Sequence, residues 1–96
     1  MTYWQLTTEA ADDLDRLTDF LLNHTPDIAV QTVDLIIDAL TVLTQHPMIG
    51  RPIQSGLREL VISRGRTGYL ALYSYDEQAD TVLVLAVRHQ RENEYH

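Results

Sequence analysis

Several side chains in the second half of the chain are of types that could act on a phosphodiester, among them Arg58, Arg88, His89, Arg91 and Tyr95. Arginines stabilise the charge that develops on a phosphate in its transition state, and a histidine side chain can act as acid or base near neutral pH. A tyrosine ring can stack on a nucleobase. The same side chains would serve equally well as contacts to a protein, so the residue types leave both interpretations open.

A structural interpretation of these residues is open as well. Arg58 would pair with an acid such as Glu59 or Glu92, and the segment from Arg88 to Arg91 would be a solvated strand end. The four histidines lie in separate elements without the spacing of metal ligands, and the chain has no cysteine. The sequence therefore predicts no metal site and no cofactor.

Charge is distributed unevenly along the chain. The net charge is −7, and residues 1–48 contain one arginine against eight acids, whereas residues 49–96 contain six of each. Affinity for nucleic acid rests mostly on neutralising phosphates, so we expect no general or specific binding of DNA by this chain alone. No apolar stretch has the length of a signal peptide or a membrane span, which leads us to expect a cytoplasmic protein without membrane contact.

The first half of the chain predicts one strand and two helices. Tyr3–Leu6 has the alternation of a short strand, Thr7 or Thr8 caps a helix, and Thr25 with Pro26 opens a second helix, which makes an antiparallel hairpin. The predicted apolar faces comprise Ala10, Leu14, Leu17, Phe20 and Leu21 in the first helix and Ala29, Val33, Ile36, Ile37, Leu40 and Leu43 in the second. The acids predicted to lie on solvated faces are Glu9, Asp12, Asp13, Asp15, Asp19, Asp34 and Asp38.

The second half predicts a loop and then three strands. Residues 48–56 are rich in turn formers, and Leu57–Ile62, Tyr69–Tyr75 and Thr81–Arg88 read as an antiparallel meander. The sequence thus predicts one α+β domain over residues 1–96, built from a short N-terminal strand, a helical hairpin and a three-stranded meander. The helices should cover one face of one sheet.

Two of the predicted strands are apolar on both faces. Val82–Val87 is apolar at every position and Tyr69–Tyr73 nearly so, although two short helices can cover only one side of a sheet. Self-association, the C-terminal tail or a partner protein must then cover the other side. The candidate partner-binding residues on these strands are Leu70, Leu72, Val82 and Val84.

The order and spacing of several short segments resemble the ParE/RelE toxin superfamily. These segments are Gly50-Arg51-Pro52, Arg58-Glu-Leu-Val-Ile62, Gly68-Tyr-Leu-Ala-Leu-Tyr73, Val84-Leu-Ala-Val-Arg-His-Gln-Arg-Glu92 and Tyr95. The resemblance covers essentially the whole chain and is best to the ParE-like branch. It implies a toxin of a type II toxin–antitoxin pair whose antitoxin wraps it.

The two branches of that superfamily imply different targets. ParE-like members act on DNA gyrase, with Arg58, Arg88, Arg91 and Tyr95 as the candidate target contacts here. RelE-like members cleave messenger RNA on the ribosome, which would make the same residues and His89 catalytic. Such ribonucleases carry an arginine after the Gly-Tyr, where this chain has Leu70, so we favour a gyrase inhibitor. The alternatives are an endoribonuclease and a non-toxic relative that serves as a binding module.

Overall fold

A computed structural model describes residues 2–64 and 67–90 of the chain. Its elements follow the predicted order. They are β1 (Tyr3–Leu6), α1 (Thr8–His24), α2 (Pro26–Val42), β2 (Arg51–Pro52), a 3-10 turn (Gln54–Gly56), β3 (Arg58–Arg64), β4 (Thr67–Asp76) and β5 (Thr81–His89). The strands form one sheet in the order β1-β5-β4-β3-β2. The predicted α+β class and the antiparallel meander of β3, β4 and β5 are confirmed.

The sheet is mixed, with one more strand than the sequence indicated. β1 runs parallel to β5, while the other neighbours are antiparallel. β2 lies in the segment that was predicted to be a loop, with Arg51 opposite Glu59 and Pro52 opposite Arg58 at the sheet edge. Proline has no backbone N–H to donate to a neighbouring strand, which is compatible with an edge position.

Local signals set the limits of the helical hairpin. The Thr7 hydroxyl accepts a hydrogen bond from the Ala10 amide at 3.1 Å, as an N-cap does. Thr25 alone connects the two helices: its amide bonds to Leu21 O at 2.7 Å and closes α1, and Pro26 begins α2. The predicted hairpin is therefore confirmed, and its connection is one residue long.

The core lies between this hairpin and one face of the sheet. The buried cluster is Ala10, Leu17, Ile36, Leu40, Leu43, Ile62, Tyr69, Ala71, Tyr73, Val82, Val84 and Val87. The prediction that Phe20 widens the apolar stripe of α1 is wrong. Phe20 is exposed and stacks on His24, with their ring centroids 4.2 Å apart. One residue before Leu21 is about 100° around the helix, which carries the ring away from the sheet.

A β-bulge decides which side chains of β5 point at the helices. Leu72 lies opposite Ala86 but Tyr73 lies opposite Val84, so Leu85 is an extra residue in β5. The bulge reverses the alternation, and Val82 and Val84 are fully buried in the core. Their prediction as partner-binding residues beside Leu70 and Leu72 is therefore wrong.

The face of the sheet away from the helices is apolar, as predicted. We call it the open face and define it by Val61, Leu70, Leu72 and Leu83. Val61 lies opposite Leu70 and is exposed, while the other three are half-buried. On β5 the residue that lies on the open face is Leu83, whereas the sequence predicted Val82 and Val84 there.

Candidate functional site

Arg88 is buried at the end of β5, with only 5% of its surface exposed. Its Nη1 forms an ion pair with Asp13 Oδ1, and Asp13 Oδ2 accepts a hydrogen bond from the Val87 amide at 3.0 Å. The predictions of a solvated strand end at Arg88 and a solvated acid at Asp13 are both wrong. Arg88 and Asp13 instead form a buried contact between β5 and α1.

The end of β1 explains why this contact is needed. β1 stops at Leu6, opposite Val84, and the Thr7 amide makes a last bond to Val84 O at 3.0 Å. Beyond that point β5 pairs with β4 on one side, and among the described residues no strand lies on its other side, where β1 has ended. The Asp13 carboxylate accepts a hydrogen bond from the Val87 amide, which would otherwise be a buried donor without an acceptor at a strand edge.

Arg58 holds a loop. Its Nη1 donates to Met48 O at 3.0 Å and to Gly50 O at 2.7 Å, while the Gly50 amide donates to the Tyr73 hydroxyl at 2.8 Å. The structural prediction that Arg58 pairs with Glu59 is wrong. Arg51 lies opposite Glu59 in β2, and its Nε donates to Glu59 Oε1 at 2.9 Å.

Two hydroxyl clusters show shifted ionisation. Burial raises the pKa of Tyr73, and the Gly50 amide and the Arg58 charge partly oppose that shift. At the turn between β4 and β5, hydrogen bonds from the Thr2 and Tyr75 hydroxyls lower the pKa of Asp80. The Gly50–Tyr73 and Thr2–Asp80–Tyr75 hydrogen bonds both join distant parts of the chain to β4, so the two clusters stabilise the fold.

The predicted site residues do not converge where the structure describes them. Arg58 in β3 lies opposite Tyr73 of β4, and Arg88 in β5 lies opposite Leu70 of β4. The backbones of the two arginines are therefore about 10 Å apart along the strand direction and about 10 Å apart across the strands. Their Nη1 atoms are bound to different groups, as described above. His89 is half-buried with its ring edge-on to another aromatic ring.

His89, Arg91 and Tyr95 complete the predicted set of site residues. The ring centroids of His89 and Tyr69 are 5.2 Å apart. Arg91 and Tyr95 lie outside the described residues, as does Glu92. Among the described residues no group of His, Asp or Glu is arranged to hold a metal ion. In the same part of the chain no helix has the length and apolar character to cross a membrane.

Sequence reasoning missed two features of this molecule. The first is the ion pair between Asp13 and Arg88, which are 75 positions apart. Asp13 is one of five acids in α1, and nothing in the sequence distinguishes it from the other four. The second feature is the pair of exposed apolar residues Met48 and Ile49, whose loop is held by Arg58 and Tyr73. Their adjacent apolar side chains in an otherwise polar loop were the available signal.

Comparisons with known proteins find toxins of type II toxin–antitoxin systems, with names from both the ParE and the RelE branch. The family model for the ParE toxin of the type II toxin–antitoxin system parDE matches residues 5–94. Toxin RelE3 of Caulobacter vibrioides is 35% identical over 88 residues, which cover 92% of this chain and 94% of that protein.

Two solved structures share the fold. A chain of the chromosomal ParDE system from P. aeruginosa has a TM-score of 0.74 at 24% identity, covering 92% of this chain and 94% of that one. The RelBE2 toxin–antitoxin complex from Mycobacterium tuberculosis gives a TM-score of 0.62 at 26% identity, covering 93% of this chain and 98% of that one. Because the family match spans nearly the whole sequence, the chain belongs to the ParE toxin family of the ParE/RelE superfamily, the toxins of type II toxin–antitoxin systems.

Proposed function

We propose that this toxin binds and poisons DNA gyrase, and that it does so without cleaving nucleic acid. The proposal rests on the observation that the guanidinium groups of Arg58 and Arg88 bind other groups of the protein. Each guanidinium group is held by groups of the protein itself, Met48 O and Gly50 O for the first and Asp13 for the second. A phosphodiester in its transition state needs cations directed at it, and losing one such donor costs about 100- to 1,000-fold in rate.

The open face supports the same conclusion. The position where ribonucleases of the superfamily carry an arginine is Leu70, which lies on this face beside the apolar Leu72 and Val61. The chain also has a net charge of −7 and contains no lysine, so it has no general attraction to ribosomal RNA. Poisoning an enzyme requires a binding surface and no reactive constellation.

The open face also supports an antitoxin partner. Val61 is exposed and Leu70, Leu72 and Leu83 are half-buried, which leaves a contiguous apolar strip on the side of the sheet that the helices do not cover. A strip of this kind indicates a partner surface. The structural relatives described above are named as toxin–antitoxin systems. We infer that an antitoxin segment covers Leu70 and Leu72.

One observation favours ribosome-dependent cleavage of messenger RNA as a second candidate. The relative that is 35% identical bears the name RelE3. The residues available for such chemistry are His89, together with Arg91 and Tyr95 outside the described residues. We place this candidate second because Arg58 and Arg88 are engaged within the fold.

Purified toxin and gyrase test the proposal. We expect the toxin to inhibit supercoiling of relaxed plasmid, and its cognate antitoxin to reverse the inhibition. A Leu70→Asp variant should keep the inhibition and lose reversal, since a charge on the open face opposes an apolar partner. Unimpaired supercoiling, together with unimpaired growth after induction of soluble toxin, would instead establish the non-toxic binding module.

A further inference from the structure

A loop at the end of the helical hairpin presents two large apolar side chains to solvent. Met48 is 51% exposed and Ile49 is 56% exposed, and they follow one another in the chain. With their neighbours His46 and Pro47 they line a shallow open depression. We call residues 46–50 the Met48 loop. Adjacent exposed apolar side chains of this size mark a contact surface more often than isolated ones do.

Four hydrogen bonds hold the backbone of this loop. The Ile49 amide bonds to His46 O at 3.1 Å, and Arg58 donates to Met48 O and Gly50 O at 3.0 and 2.7 Å. The Gly50 amide bonds to Tyr73 at 2.8 Å. The exposed side chains therefore stand on a backbone tied to β3 and β4.

Close packing fixes the end of the loop as well. A Cβ atom at Gly50 would lie 2.7 Å from the Tyr73 ring and hydroxyl and 2.9 Å from Glu59 O. Only glycine allows this approach. A loop that is ordered before it meets a partner avoids the entropy cost of ordering on binding, which is the requirement for a strong contact point.

The charge around the loop differs from that of the rest of the protein. Residues 44–58 contain no acid and two arginines, whereas residues 1–43 contain eight acids and one arginine. Arg51 reaches into solvent, with 70% of its side chain exposed, while its guanidinium contacts Glu59. With Glu59, which pairs with Arg51, residues 44–59 contain two arginines and one acid, so this apolar area keeps one net positive charge on a molecule whose net charge is −7.

We propose that the Met48 loop is the target-docking surface of this toxin, and that Met48 and Ile49 enter an apolar cleft of a protein whose rim carries carboxylates. Those carboxylates would face Arg51. Arg58 is a positioning residue, which acts by holding the loop carbonyls. The occupant is a protein rather than a nucleic acid, because residues 44–58 contain no Phe, Tyr or Trp to stack on bases. The proposal rests on the proposed function in that the partner is the toxin's target and not its antitoxin.

The test compares Met48→Ser/Ile49→Ser with wild type and with Val30→Ser, a matched change at another exposed apolar residue, 69% exposed on α2. Growth arrest at equal protein levels, the melting temperature and antitoxin affinity are measured for each. We expect the double variant to need about 30-fold more protein for arrest, the effect of one central contact residue. Its melting temperature and antitoxin affinity should match wild type, and Val30→Ser should match in all three.

Further variants test the charge and the positioning. Arg51→Gln removes the charge and keeps a hydrogen-bond donor for Glu59, so it should weaken growth arrest through the lost attraction to the acidic rim. Arg58→Ala should weaken growth arrest more than Arg58→Lys, which keeps one donor for the loop carbonyls. Growth arrest by Met48→Ser/Ile49→Ser at wild-type levels overturns the proposal. So does a parallel loss of antitoxin affinity, since the occupant would then be the antitoxin.

The same experiment separates the docking surface from the choice of gyrase. If wild-type toxin leaves supercoiling intact while the double variant still loses growth arrest, the gyrase proposal fails and the docking surface stands with another protein target. If wild-type toxin inhibits supercoiling and the double variant inhibits it equally, the docking surface fails and the gyrase proposal stands. Absence of growth arrest by the wild type overturns both.

Discussion

Replacing Arg88 by alanine should destabilise the protein severely, because it breaks the buried contact between α1 and β5. The side chains of Arg88 and Asp13 are 6% and 12% exposed and form an ion pair. The Asp13 carboxylate also accepts a hydrogen bond from the Val87 amide. Removal of Arg88 takes away the buried partner of the Asp13 carboxylate and leaves it with the half-exposed Arg16, whose Nη2 lies 3.9 Å from Asp13 Oδ1. Loss of toxicity in this variant would then reflect loss of folded protein.

The size of the effect follows from the burial of the pair. Removing one member of a buried ion pair costs about 3–5 kcal/mol, and the whole domain is stable by about 5–15 kcal/mol. The double variant Asp13→Ala/Arg88→Ala should recover only part of this loss, since it leaves no uncompensated buried charge but takes the acceptor away from the Val87 amide. Arg16 supplies the control, because it lies 3.9 Å from the same Asp13 oxygen but is 48% exposed. Arg16→Ala should cost at most about 1 kcal/mol.

Urea unfolding followed by circular dichroism measures these differences. We expect Arg88→Ala to shift the unfolding midpoint strongly and Arg16→Ala to shift it little. A free energy of unfolding for Arg88→Ala within about 0.5 kcal/mol of wild type, accompanied by loss of growth arrest, would refute this reasoning. Arg88 would then act on the target, as the sequence alone had suggested.

Three further predictions concern the core and the loop anchor. Ile36→Ala should cost about 2–5 kcal/mol in urea unfolding, because Ile36 is fully buried between the hairpin and the sheet, and a change near zero would contradict that packing. Gly50→Ala should lower stability by about 1–3 kcal/mol in urea unfolding through contact with Tyr73 and Glu59 O, and an unchanged midpoint would contradict that close approach. Since the pKa of Tyr73 is raised above 10.0, its contribution to stability is complete below pH 10 and declines as pH rises past it. Tyr73→Phe should therefore lose less stability between pH 9 and 11 than wild type does, as measured by thermal melts, and an equal loss would show that folding does not raise the pKa of Tyr73.

The sequence was sufficient wherever the determinant of structure is local. Thr7 and Pro26 mark the helix starts by side-chain chemistry that does not depend on the rest of the chain. The meander of β3, β4 and β5 follows from apolar runs separated by turn residues. The family resemblance added the toxin class, which the match over residues 5–94 confirms.

The sequence was insufficient where one residue changes the register or where the partners are distant. The bulge at Leu85 reverses the faces of β5, and nothing in a run of apolar residues shows where an extra residue lies. Asp13 and Arg88 are 75 positions apart, so only the folded chain shows that α1 completes the edge of β5. The same limit applied to Arg58, whose partners are backbone carbonyls of a loop rather than an acid.

Primer extension on a translated messenger RNA, after induction of the toxin, tests most directly the claim that the protein acts without cutting RNA. The same culture should be assayed for plasmid topology and for induction of the DNA-damage response. We expect full-length message, reduced negative supercoiling and a damage response at the onset of growth arrest. Cuts within codons at the ribosomal A site, abolished by His89→Ala in soluble and folded protein, would contradict the account and make this toxin an endoribonuclease.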